Sequence, residues 1–406
     1  MYPYSVQDLG FLPGGTVAYP QAINNKGEIV GYGDGAAFSL AFLWKRSTGI
    51  QQLPLFPGAD LSAAYDINDH SEIAGASGIH TSQAAPWWYG GYATHWKSGI
   101  AYLINPFEES AATSINNNGD IAGTFKIGAV SSACTWIGGV KKSLAHNIYN
   151  GNPTSESDVV FISDTGEVFG SCLQSGLGLF PYETATRWDV AGNVTDLDYP
   201  DNLDKPGMRG RDSAVRAAND SGIAVGSTFN FSILQPYFWN AVGKGLLGMF
   251  PGTIQGDALA INSIGQIAGW LDNGSGHRAM LWSGTVITDL NDLIDPMSGW
   301  VLTEAYCMND IGQIAGIGTL NGVQRPFLIQ PSFRVVNFIP AIFWHIVFGI
   351  VADQPGIILG PRGPEPGPDP EPIESLLRHL PEQLRPDLKN ILANQQVRKA
   401  KNFRKR

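Results

Sequence analysis

The fold this sequence predicts is all-β: a seven-bladed β-propeller closed by its own N-terminal strand, followed by a short C-terminal tail that is apolar, then Pro-rich, then helical. Three observations predict it. A turn phrase recurs seven times at a period of 43 to 56 residues. A second phrase, Ala-x-x-Trp, follows each copy. The chain also opens on a strand that belongs to the end of the repeat rather than its beginning.

The turn phrase is Ala22-Ile23-Asn24-Asn25-Lys26-Gly27-Glu28-Ile29-Val30-Gly31, and its Asn position returns at 68, 116, 163, 219, 262 and 309. Each copy reads as a tight hairpin. An apolar strand ends at Asn, whose side chain accepts from the backbone two residues on. Gly then takes the position that needs φ > 0 before the next strand begins. The fourth copy has Ser163 for Asn, and the second has Ser71 for Gly.

The Ala-x-x-Trp phrase (Ala41 to Trp44, Ala93 to Trp96, Ala133 to Trp136, Ala185 to Trp188, Ala279 to Trp282) marks a third strand, with Pro236 to Trp239 and Pro326 to Ile329 as variants. A Gly-containing turn and a β-rich run such as Val286-Ile287-Thr288-Asp289-Leu290 supply a fourth. Four short antiparallel strands per 40-odd residues are one propeller blade. The opening run Tyr4 to Gly10 is a fourth strand without the three before it, and the seventh repeat stops at its third strand near Ile329. Pairing these two ends closes the ring and leaves no exposed sheet edge.

The Asp8-Leu9-Gly10 opening, the seven hairpins and phrases such as Ala41-Phe42-Leu43-Trp44 resemble the HAF-type repeat family of bacteria, over about residues 1–330. That resemblance implies a propeller in an extracellular or cell-surface setting and brings no established chemistry. The N-terminus Met1-Tyr-Pro-Tyr shows no basic region and no apolar core of a signal peptide.

Composition narrows the function. Charged residues make up 15% of the chain, against roughly 25% in an ordinary domain. The 11 Trp, 19 Phe and 13 Tyr exclude a disordered chain. Residues 1–332 carry 15 Lys+Arg and 29 Asp+Glu, so the body lacks the electrostatic footprint of a nucleic-acid binder. Cys134, Cys172 and Cys307 read as buried thiols, and no Cys/His spacing suggests a metal. The acids after the turn glycine (Glu28, Glu72, Asp120, Glu167) are not calcium loops. Only Asp66 is acidic among the seven residues two places before the Asn position, where such a loop alternates carboxylates. No catalytic motif and no cofactor motif appears.

The short turns after the first and third strands share one face of the ring; the long, variable connections lie on the other. Function sits on variable loops held by a rigid frame. On that face stand Trp87, Trp88, Tyr89 and Tyr92, with Trp270 and Trp300 at the ends of other variable connections. Clustered aromatics stack on sugar rings or grip a protein, and equally plug the neighbouring blade. His80, His146 and His277 fall on the same face as separate surface histidines.

The expectation is a non-enzymatic propeller that binds a glycan or protein partner. The rivals are a propeller lyase or hydrolase with its site at the channel mouth, and a display module anchored by its tail. The propeller is expected over 1–331, with an apolar docking or membrane-interfacial segment at 332–353, where a peripheral membrane contact would form. A Pro-rich linker is expected at 354–372 and a helical basic tail at 373–406.

Overall fold

The computed structural model describes residues 2–332 apart from 36–37, 80–90, 129, 147, 150–151, 154–155, 175–181, 198–210 and 231–232. The three segments expected after the ring lie, apart from residue 332, outside the described residues.

Seven four-stranded antiparallel sheets form the ring, each in sequential order a-b-c-d. Blade 1 comprises Ala18–Ile23, Ile29–Asp34, Ser39–Lys45 and Gly49–Gln52. The inner strands a of blades 2 to 7 are Leu61–Ile67, Ser110–Ile115, Glu156–Ile162, Arg211–Ala218, Gln255–Ile261 and Trp300–Met308. In blade 7 the outer strand is Tyr4–Asp8, which pairs antiparallel with Val323–Pro331 from Tyr4 opposite Pro331 to Asp8 opposite Phe327. The expected closure by the N-terminal strand is therefore present. A two-stranded hairpin, Ile148–Tyr149 with Asn152–Pro153, and two 3-10 turns before blade 7 are additions that the repeat does not predict.

Between blades the core is built from the repeated apolar positions. Trp44, Trp96, Trp136, Trp188, Trp239 and Trp282 are all buried, and Ile329 fills the same place in blade 7. The indoles of Trp96, Trp188 and Trp282 also use their one donor across the blade junction. Trp96 Nε1 donates to Pro54 O at 2.7 Å and Trp282 Nε1 to Gly248 O at 2.7 Å. A buried indole N–H without such an acceptor would forfeit much of what its ring gains by burial. The three cysteines are buried, as expected.

Every inner strand carries a β-bulge at the same place. The a–b register slips at the residue three before the Asn position, that is at Gln21, Tyr65, Thr113, Val160, Arg216, Leu259 and Tyr306. The residue before each of these is buried, whereas each bulged residue keeps solvent access. The extra residue thus turns out of the sheet toward the channel.

The same bulge explains the last glycine of the turn phrase. At Gly31, Gly75, Gly123, Gly170, Gly226, Gly269 and Gly316 a Cβ would lie 2.0–2.1 Å from a carbonyl oxygen of the inner strand. Only hydrogen fits there. The turn glycines are glycine for a different reason: Gly222 has φ of 75° and nothing within 4 Å of an added Cβ. Ser71, at φ of 64°, tolerates that conformation in the second copy.

The two glycines should fail differently. Gly222→Ala is expected to cost about 1–2 kcal/mol, the ordinary left-handed penalty. Gly123→Ala must displace the Ala111 carbonyl and is expected to cost on the order of 3 kcal/mol or more. Thermal and urea unfolding of the two variants side by side checks the order; equal losses would contradict the bulge account.

Candidate binding site along the central channel

The seven a–b turns converge on the axis and line a cavity of about 200 Å³, to which every blade contributes. Its wall is a hydrogen-bonded belt made by the repeated Asn. In blade 1, Asn24 Oδ1 accepts from the backbone N–H of Lys26 and Glu28, which closes its own turn. Asn24 Nδ2 then donates to the carbonyl of Asn68 in the next blade at 3.1 Å. The link repeats from Asn68 to Asn116, Asn116 to Ser163, Asn219 to Asn262 and Asn309 back to Asn24.

The next residue forms a second belt in which six side chains accept from the preceding blade. Asp69, Asn117, Asp164 and Asp220 take the backbone N–H of Asn25, Asp69, Asn117 and Asp164, at 2.7–3.0 Å. Asp310 takes that of Ser263, and Asn25 takes that of Asp310. Between them the two belts join all seven junctions. The carboxylates of this end are therefore already engaged in holding the ring. Burial, then the charges of Asp164 and Asp310, holds the Asp220 carboxyl above the usual range. No group of three or more His, Cys, Asp or Glu among the described residues has the geometry to hold a metal ion.

Toward the variable-loop end the inner strands present two further layers. One is the bulge layer; the other lies five residues before the Asn position, at Tyr19, Ala63, Ala111, Asp158, Ala214, Asp257 and Glu304. In blades 7, 1 and 2 these layers gather an aromatic and acidic arc. His277 Nδ1 donates to Glu304 Oε1 at 2.8 Å; a carboxylate only accepts, so Nδ1 carries the proton. Trp270 stacks face to face on that imidazole, with centroids 3.8 Å apart and planes 10° apart. Tyr306 hydrogen-bonds to Glu304, and its phenol is kept neutral by burial first and by the Glu304 charge second. Tyr19 and Tyr32 pair across two strands with centroids 5.5 Å apart. Tyr65 lies within electrostatic reach of Tyr32, its phenol also held up by burial.

Across the channel the second arc is charged. Arg216 Nε lies 3.2 Å from Asp257 Oδ2. Asp158 stands in the upper layer of blade 4 with Glu156 and Glu183 on the same sheet face. The residue as a whole is exposed to solvent. Burial of its carboxyl first, then the charges of Glu183 and Glu156, push that group up to about 6.

The expected aromatic residues divide. Trp87, Trp88 and Tyr89 lie outside the described residues, as does His80. Tyr92, second residue of the Gly91–Lys97 strand, packs edge-on against Phe56. Trp270 and Trp300 are 9% and 8% exposed; Trp270 backs His277, and Trp300 packs edge-on against Phe327. Both rings are engaged in packing, because each lies within a strand of the sheet rather than in the connection beside it. His277, expected as an isolated surface histidine, is instead bonded to Glu304 and half-buried.

The arc residues Glu304, Tyr306, Tyr19 and Tyr65 were not singled out by motif. A signal exists: the column three before Asn is chemically mixed, while the column before it (Pro20, Ala64, Ala112, Val159, Val215, Ala258, Ala305) is uniformly small or apolar.

Two measurements follow from this geometry. Ser163 supplies a hydroxyl to its own turn but has no amide for the Asn219 carbonyl. Ser163→Asn is expected to complete the first belt there and stabilise by about 1 kcal/mol, read as a higher melting temperature. The Asp158 carboxyl is expected to titrate near pH 6 by carbon-13 NMR, and at lower pH in Glu183→Gln. Because its folded pKa exceeds its unfolded one, its contribution is fully present below about pH 4 and is lost as pH rises through about 6. Asp158→Asn should then stabilise more at pH 8 than at pH 4.5.

No family model matches the chain, and no curated protein matches it in sequence. Solved structures resemble it in shape. A Vibrio parahaemolyticus oligogalacturonate lyase is 11% identical, with a TM-score of 0.48 over 80% of this chain and 94% of its own. An oligogalacturonate lyase in complex with manganese is 12% identical, with a TM-score of 0.49 over 82% and 94%. The propeller domain of a Pyrococcus furiosus trilobed protease is 11% identical, with a TM-score of 0.44 over 70% and 83%. At these identities the likeness is one of fold.

Proposed function

We propose that this propeller is a binding module that takes a glycan or protein partner on its variable-loop face, with the arc around Glu304 as the floor of the site. The observation that carries this reading is the contrast between the channel ends. At the a–b turns the polar groups are engaged in joining blades. At the other end Glu304, Tyr306, Tyr19 and Tyr65 keep solvent access beside the connections that vary most. Phenols and a carboxylate on a rigid sheet offer flat apolar area with oriented donors and acceptors. Trp87, Trp88 and Tyr89, which precede the Gly91–Lys97 strand in sequence, belong to the same proposed set of ligand-binding residues. The resemblance to HAF-type repeats adds a cell-surface or secreted setting.

A second reading, acid–base catalysis at the same mouth, is favoured by the imidazole–carboxylate–phenol sequence of His277, Glu304 and Tyr306. It expects turnover of an oligosaccharide that His277→Ala abolishes.

The binding reading is tested by glycan-array and pull-down screens on the full-length protein. Tyr19→Ala, Tyr65→Ala and the Trp87→Ala/Trp88→Ala pair are expected to weaken a captured ligand at least about tenfold. Lys26→Glu and His70→Ala, exposed on the opposite face, should leave it unchanged. The reverse pattern would place the site at the other end.

A further inference from the structure

The arc has a sign as well as a shape. Among the fourteen side chains of the upper and bulge layers, Asp158, Asp257 and Glu304 are carboxylates and Arg216 is the single cation. Arg216 lies against Asp257, so those two charges offset one another. Among the described residues Glu304 has no Lys or Arg partner; it is held by His277 on one side and by Tyr306 on the other, with the Tyr19–Tyr32 pair near Tyr306 and Tyr65 beyond Tyr32. His277 binds Glu304 through one carboxylate oxygen and is fixed from behind by Trp270. All four tyrosines are half-buried and the Glu304 side chain is 22% exposed, so the rings and the carboxylate retain solvent access.

This environment suits one chemistry. Ring faces carry negative potential and attract an ammonium group, more strongly where water is partly excluded. The carboxylate adds a charge-assisted hydrogen bond, and an aliphatic stem covers ring carbon on the way in. A phosphate or uronate would meet like charge at the same place. A neutral sugar would need a partner for each hydroxyl, whereas the rest of the upper layer includes Ala63, Ala111 and Ala214. We infer that the partner presents a lysine side chain, whose ammonium group is received by Glu304 within the ring of Tyr19, Tyr32, Tyr65 and Tyr306. This rests on the variable-loop face being the binding face and narrows that reading to a cationic polypeptide.

The probe is an N-acetylated, C-amidated penta-lysine peptide, titrated calorimetrically into the full-length protein beside its Nε-acetylated twin. Binding is expected for the first, weakened at least about tenfold in the twin, which keeps the stem and loses the charge. Glu304→Gln should weaken it by a similar factor of about ten with an unchanged melting temperature and circular dichroism spectrum. Since that variant also alters the His277 contact, Tyr19→Leu, distant from His277 in sequence and strand, provides an independent check and should weaken binding several-fold. Raising salt should reduce wild-type affinity more than that of Glu304→Gln. Equal affinity for the acetylated twin, unchanged binding by Glu304→Gln, or no binding at millimolar peptide would overturn the inference. Capture of a neutral glycan oligomer that Tyr19→Leu abolishes would also overturn it, while leaving the face reading intact.

Discussion

The ring depends on what one carboxamide does at six of its seven turns. The repeated Asn has an acceptor oxygen and a two-hydrogen donor on the same planar group. The oxygen tightens its own hairpin, and the nitrogen reaches the backbone carbonyl of the blade beside it. A hydroxyl or a carboxylate offers only part of that pair, which is why the belt changes character at Ser163. There the neighbouring residue carries the junction, with Asp164 N–H donating to Asp220. Each bond contributes only about 1 kcal/mol, yet opening any junction exposes the apolar face between two blades. Local turn geometry and ring closure are thus coupled through a single side chain.

The bulge in each inner strand is the second constraint, and it separates structure from function. By adding one residue it brings the preceding carbonyl against the next strand, which excludes any Cβ at the seven glycines. It also frees one side chain per blade from the core. The residue before the bulge serves packing and is small or apolar in every blade. The bulged residue meets the channel and is free to differ, as Gln21, Thr113, Arg216 and Tyr306 do. A seven-fold repetitive frame thereby presents an irregular inner wall.

Much of the frame was legible before any coordinates. The Asn-x-x-Gly hairpins, the Ala-x-x-Trp strands and the orphan strand at Tyr4 imply blade number and closure, because turn conformation and period are local properties of the chain. The belt was not legible. Asn24 reads as a turn residue, and it is one; its second partner lies 44 residues away and adjoins it only once the ring closes. Trp270 and Trp300 looked like loop aromatics because they fall outside the repeated phrases. Their strands extend further than the phrases do, and packing engages both rings.

The site divides in the same way. That the variable connections share one face follows from the sequence, since alternating strand direction assigns turns to faces whatever the side chains. The meeting of the His277–Glu304–Tyr306 group with the Tyr19–Tyr32 pair could not be read there. These residues come from opposite ends of the array, and no spacing relates residue 19 to residue 306. The sequence by itself determined the blades, their number and the strand that closes them, because those rest on backbone turns and a short period. Only the tertiary structure decided which side chains stand together at the channel, because closing a ring makes neighbours of the first blade and the last.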